Sequence, residues 1–182
     1  FLDQEIVVWK GKIEKRMLLK PNHIKSILAK KPTFIEGFTI LQEKYDFNFL
    51  INLIDSNSIT VFNKKPPGFE TIWQAKNTHS HNKEFYVFFD FFKKTFKYVQ
   101  DMNDGVDIFF SFTAQIGLAH KDQEDVFLLG LEGSTLYRDT DTKKDYAINK
   151  GDLLFFPKQR QHKSISLTPR IILSVGFFGG KE

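Results

Sequence analysis

The feature that most constrains this chain is the run of short apolar segments that begins after Asp104-Gly105 and continues almost to the end. Strands are expected near 106–113, 124–131, 134–138, 145–149, 152–156, 162–168 and 170–178. Turn residues separate them: Gly130, Gly133, Asp139 to Asp141, Gly151-Asp152 and Pro157. Serial short strands at this spacing close into a sandwich or barrel, because only such closure buries one face of every strand.

The region ahead of that run is mixed. Glu5 to Trp9 reads as a strand, and Lys20-Pro21-Asn22 opens a helix through about Lys30 that Pro32 ends. Ser58 to Phe62 reads as a strand, Lys65-Pro66-Pro67-Gly68 as a turn, and Asn77 to Asn82 as a loop. From Lys83 to about Met102, Phe85, Phe88, Phe89, Phe92, Phe96 and Val99 fall on one helical stripe. Tyr86, Val87 and Phe91 lie off it. That second apolar face predicts burial on two sides or, alternatively, a homodimer contact through helix 83–102. Helices before strands make the class α+β with a β-barrel core. The 182 residues are expected to form a single domain, with 1–105 as a support region and 106–179 as the barrel.

Composition narrows the chemistry. There is no Cys, which excludes disulfides, thiolate metal sites and a Cys nucleophile, so any metal must be held by His and carboxylates. The net charge of +4 is carried by scattered lysines and does not call for a nucleic-acid partner. The 21 Phe residues read first as core filler. No secretory signal is visible and no apolar stretch approaches a membrane span, so a cytoplasmic location without membrane contact is expected.

His120 and Asp122, two residues apart in extended chain just ahead of Asp125-Val126-Phe127-Leu128-Leu129, project to one face and can point together into a barrel. The stretch from Asn149 to Pro157 reads as a turn, a buried strand and a proline-ended loop, which delivers His162 at the start of the next strand. Two imidazoles and one carboxylate on one face of a metal leave adjacent positions open, the facial arrangement of non-haem Fe(II) oxygenases, although other divalent metals accept the same ligands. His79-Ser80-His81 reads as a solvated loop, His23 as exposed, and Trp9 and Trp73 as core or interface.

Several residues together carry a family resemblance. They are Phe110-Ser111-Phe112, His120-Lys121-Asp122-Gln123-Glu124-Asp125-Val126-Phe127, Gly133, Gly151-Asp152, Pro157, His162 and Ser174-Val175-Gly176-Phe177. From about Asp107 to Gly179 the chain resembles the catalytic core of the JmjC/cupin-like Fe(II)/2-oxoglutarate oxygenases, and most of all their bacterial ribosomal-protein hydroxylase branch. The resemblance implies a double-stranded β-helix (jelly-roll) barrel with the N-terminal helices packed on it. It implies Fe(II) held by His120, Asp122 and His162, with 2-oxoglutarate and O₂ as cosubstrates in C–H hydroxylation. The implied substrate is a protein or peptide side chain; a small molecule or an RNA base stays open. Substrate recognition is then expected from residues 1–105 or from a dimer partner.

One position departs from the family. The basic residue that anchors the distal carboxylate of 2-oxoglutarate is expected two residues after Gly133, where this chain has Thr135. A hydroxyl cannot replace a charge-assisted pair. Arg170, at an even offset of eight from His162, is the preferred substitute, and Arg138 is the second choice. Ser111, Thr135 and Ser174 are expected to add hydroxyl contacts. Two other readings remain: a non-redox cupin that binds a metal or small ligand, and a degenerate structural member of the family.

Overall fold

The computed structural model describes residues 4–10, 13–39, 44–56, 59–61, 71–80, 82–99 and 105–178. A hairpin of β1 (Gln4–Lys10) and β2 (Ile13–Leu19) leads into helix α1 (Pro21–Leu28) and strand β3 (Thr33–Ile35). Helix α2 (Phe47–Ser56), β4 (Ile59–Val61), β5 (Trp73–Ala75) and helix α3 (Lys83–Phe96) follow. The barrel strands are β6 (Gly105–Ser111), β7 (Asp125–Glu132), β8 (Thr135–Asp139), β9 (Lys144–Ile148), β10 (Leu153–Phe156), β11 (His162–Ser166) and β12 (Arg170–Phe177).

Every strand expected from 106 onward is present. A seven-stranded sheet runs β3-β10-β7-β12-β6-β5-β4, and a three-stranded sheet runs β11-β8-β9; neighbouring strands in both pair antiparallel. This is the α+β, double-stranded β-helix architecture. Elements absent from the sequence reading are β2, β3, α2 and β5: β3 and β5 have three residues each, and α2 is a ten-residue amphipathic helix which that reading passes over. The turn at 65–68 lies outside the described residues.

Alternation along the large sheet explains why its strands read as unbroken apolar runs. Phe127, Leu129 and Leu131 of β7, with Ile171, Leu173, Val175 and Phe177 of β12, belong to a core that also contains the phenylalanines of α3. Val126, Leu128 and Ile172 point the other way, into a second core with Tyr137, Tyr146, Ile148, Leu154 and Phe156. A sheet covered on both faces has no face to leave polar.

Asn82 caps α3 by accepting from the backbone N–H groups of Glu84 and Phe85. The helix stops at Phe96, short of the expected Met102, because Lys97 takes a left-handed conformation at φ 56°. Its second apolar face is closed from within the chain: Phe38 lies 6.1 Å from Phe91 and 5.8 Å from Phe92, ring centre to ring centre. Tyr86 stays exposed and Val87 partly so. The expectation of two-sided burial therefore describes this helix better than a dimer contact.

Phe127 is the hub of the aromatic core. It is fully buried and stacks on Phe92 at 4.2 Å and Phe96 at 5.4 Å, with Phe155 at 4.9 Å. Replacing it leaves a cavity that its neighbours on a rigid sheet cannot collapse into. Phe127→Ala is expected to lower unfolding stability by about 3–5 kcal/mol in urea titrations, and a loss under about 1 kcal/mol would contradict the hub role.

Candidate metal centre and cavity

The three residues singled out by spacing converge. His120 and His162, on separate segments, form an antiparallel bridge in which each backbone N–H donates to the other's carbonyl at 2.9 Å. Their rings lie 4.6 Å apart. The Asp122 carboxylate sits 3.6 Å from His120 Nε2 and 3.4 Å from His162 Nε2. Ligand atoms at right angles on one metal at ~2.1 Å stand about 3 Å apart, so the two separations from Asp122 need to close by only about half an ångström, and all three ligand atoms lie within 4.8 Å of one another.

Tautomers fit as well. His120 Nδ1 lies 2.9 Å from the Leu118 carbonyl and His162 Nδ1 lies 3.0 Å from the Arg160 carbonyl. A carbonyl only accepts, so each Nδ1 carries the proton and each Nε2 presents a lone pair. His162 is 3% exposed and stacks on Phe156 at 4.5 Å. Burial lowers its pKa below the usual 6.5 against the opposing pull of Asp122, which keeps the ring neutral at pH 7. Among the described residues this is the group of His and carboxylate side chains with metal-ligand spacing. His81, one half of the sequence pair with His79, lies outside the described residues; the His79 ring stacks on Phe89.

The triad lines a cavity of about 160 Å³ whose wall also includes Tyr137, Ser164 and Arg170. Arg170 is 2% exposed. One Nη donates to Thr135 Oγ1 at 3.4 Å and the other to Ser164 Oγ at 3.3 Å, while Nε has no partner. No carboxylate among the described residues pairs with it. Burial raises the Tyr137 pKa, and the charge and hydrogen bond of Arg170 pull it back.

The structure places Thr135 against Arg170 and Ser174 in the cavity wall. Ser111 is buried opposite Arg170 in the β6–β12 register, its hydroxyl 3.5 Å from that of Ser166. Arg138 lies elsewhere. Its odd offset from Thr135 turns it outward, where two 2.6 Å hydrogen bonds tie it to Asp145. The sequence reading missed Tyr137, Ser164, Gln74, Asp107 and Glu124. Four of these were within reach of strand alternation: Ser164 and Glu124 follow a ligand by two, Tyr137 follows Thr135 by two, and Asp107 precedes Ser111 by four.

Gln74, Asp107, Glu124 and Ser174 are shared with a second, outer cavity of about 400 Å³. Gly105 and Gly176, paired across β6 and β12, leave room for it. A Cβ on Gly176 would lie 2.3 Å from the Glu124 carboxylate.

No family model matches the chain and no curated protein matches it. Solved structures do. A structure of YcfD, a ribosomal oxygenase from Escherichia coli, superposes with a TM-score of 0.69 at 15% identity over 97% of this chain and 53% of that one. Another, of YcfD with cobalt and 2-oxoglutarate, gives 0.68 at 16% identity over 88% of this chain and 52% of that one. The chain has the fold of this oxygenase. It spans about half the length of the matched structures.

The His162 environment sets a pH dependence. The unfolded chain takes up the histidine proton first, because the folded pKa is the lower of the two. Stability of the metal-free protein is therefore expected to fall as pH drops below about 6.5. His162→Gln should flatten that slope between pH 7.5 and 5.5 in urea midpoints; an unchanged slope would refute the assignment.

Proposed function

We propose that the chain is an Fe(II)- and 2-oxoglutarate-dependent oxygenase that hydroxylates a C–H bond, with a protein or peptide side chain as substrate. The observation that carries this reading is the buried Arg170 guanidinium, facing the cavity of the candidate metal triad with no carboxylate partner of its own among the described residues. A buried cation without a counter-charge is costly unless a ligand supplies one.

A dianionic 2-oxo acid suits such a cavity. A metal would be held by His120, Asp122 and His162 beside its 2-oxo acid end, and Arg170 would pair with its distal carboxylate. Thr135, Ser164 and the Tyr137 hydroxyl orient the guanidinium or share that carboxylate. Ser174, on the same face of β12 as Arg170, adds a hydroxyl nearer the outer cavity. Two imidazoles and one carboxylate, without thiolate, suit Fe(II). When bound, iron with 2-oxoglutarate and O₂ supplies an oxidative decarboxylation coupled to hydroxylation. The chain's own residues hold the ligands, fix the cosubstrate and line the cavity with Phe109, Val126 and Leu128, which limits water. The outer cavity is the entry for the substrate group. The protein substrate is supported by the ribosomal oxygenase that shares the fold.

A non-redox metal or small-ligand binder drew its support from the neutral Thr135. Arg170, hydrogen-bonded to that threonine, supports the oxygenase reading over it by supplying a cation at the same place.

The decisive test is anaerobic loading with Fe(II), calorimetric titration with 2-oxoglutarate, then succinate formation on admitting air with candidate peptides. Absence of both binding and succinate would sink the reading. His120→Ala or Asp122→Ala should abolish iron binding. Arg170→Met should weaken 2-oxoglutarate about 10- to 100-fold, the worth of a charge-assisted pair, while leaving thermal stability unchanged or higher. Unchanged 2-oxoglutarate affinity in that variant would remove Arg170 from the site.

A further inference from the structure

The two candidate ligand histidines are oriented in the same way but braced very differently. Each directs Nδ1 at the carbonyl two residues before it, Leu118 for His120 and Arg160 for His162. Leu118 is 77% exposed, and its segment is held by backbone hydrogen bonds, from Gly117 N–H to the Ser164 carbonyl at 2.8 Å and from His120 N–H to the His162 carbonyl at 2.9 Å. Arg160, by contrast, folds back onto Asp139, a carboxylate only 1% exposed that sits directly across from His162 in the β8–β11 register. Arg160 Nε lies 3.1 and 3.0 Å from the two Asp139 oxygens, and Nη2 lies 2.6 Å from Oδ2.

Asp139 itself cannot drift. It accepts from the backbone N–H groups of Asp141 at 3.0 Å and Thr142 at 3.3 Å, and from the Thr142 hydroxyl at 2.7 Å. Asp141 adds a second carboxylate 3.5 Å from Arg160 Nε. Thr140, between them, donates its N–H and its hydroxyl to the Gln161 carbonyl at 3.0 and 3.1 Å. From the other side, Gln159 N–H donates to the Asp122 carbonyl at 2.8 Å. The peptide that carries the Arg160 carbonyl is therefore clamped between the end of β8 and the loop of the candidate carboxylate ligand.

We propose that Arg160, through its fork on Asp139, is the positioning residue for His162, holding the Arg160 carbonyl where it fixes the Nδ1–H tautomer and aims Nε2 at the metal. The proposal rests on the reading of His120, Asp122 and His162 as a divalent-metal site. The carbonyl that orients His162 is thus braced by a side-chain fork, whereas the segment that orients His120 is held through its backbone pairing with β11. Loss of a partner that orients a ligand imidazole typically costs about 10- to 100-fold in metal affinity.

Two variants separate this from a plain loss of stability. Arg160→Met removes the fork and keeps most of the volume. Arg160→Lys keeps a charge against Asp139 but cannot bridge both of its oxygens. The probes are Co(II), titrated by absorbance and calorimetry, and long-range ¹H–¹⁵N NMR of the imidazoles in the metal-free protein. Arg160→Met is expected to lose about 10- to 100-fold in Co(II) affinity and Arg160→Lys a smaller but measurable part of that. In both, His162 signals should move from the Nδ1–H tautomer towards a mixture while His120 signals stay as in wild type. Equal movement of both histidines, or Co(II) affinity and His162 signals indistinguishable from wild type, would overturn the proposal. If Arg160→Met does not fold, Arg160→Lys decides alone. Wild-type protein that binds no Co(II) would refute the metal reading, and the metal-free spectra would still decide the clamp.

Discussion

A two-hydrogen-bond bridge between His120 and His162 is the contact on which the candidate centre depends. The two residues are far apart in sequence, yet each backbone N–H reaches the other's carbonyl at 2.9 Å. Once that pairing is made, both side chains are on the same side of the pair and Asp122 follows by alternation. No side-chain attraction is needed to assemble the triad; the backbone register does it. The cost falls on the segments that bring the strands together, which explains why the Asp139–Arg160 fork, the Gln159–Asp122 contact and the Thr140–Gln161 contact cluster around this loop.

A second constraint is that the large sheet is covered on both faces. Odd-numbered residues of β7 and β12 face the helix α3 core, and even-numbered residues face the barrel interior. On β12 the interior face reads Arg170, Ile172, Ser174 and Gly176, opposite Ser111, Phe109, Asp107 and Gly105 of β6. One ladder thus runs from a buried cation at one end to a glycine pair at the other, with carboxylates near the latter. The polarity of the cavity is a property of that register rather than of any single residue.

The N-terminal part is tied to the barrel at a buried carboxylate. Asp125, 2% exposed, pairs with Lys30 beyond α1, accepts from the Tyr98 hydroxyl beyond α3 at 2.9 Å, and accepts from Lys158 N–H at 3.0 Å. Burial next to that carboxylate raises the Tyr98 pKa, so its hydroxyl stays a donor. Support helices, strand β7 and the loop leading to His162 share one polar node, and a fully satisfied node of this kind fixes relative placement in a way that apolar packing alone does not.

The sequence by itself determined the strand run from 106 onward, the helix over the phenylalanine stripe, and the grouping of His120, Asp122 and His162. The strands, the helix and the His120–Asp122 pair are legible because strand and helix periods are local properties of the chain; His162 joins that pair through its turn–strand context and the family resemblance. Arg170 stands at an even offset from His162, but the two sit on different strands across a turn, so its place in the cavity wall is a tertiary fact. Arg138 turns outward because its odd offset from Thr135 lies within β8. Tertiary structure alone decided the rest. The three-residue strands β3 and β5 take their form from the sheet they join, which no local period records. The pairing of Arg170 with Thr135 and Ser164, the fork of Arg160 on Asp139 and the glycine pair behind the outer cavity all depend on which strands become neighbours. That is set by long-range register, and register is a global solution for burying both faces of a sheet at once.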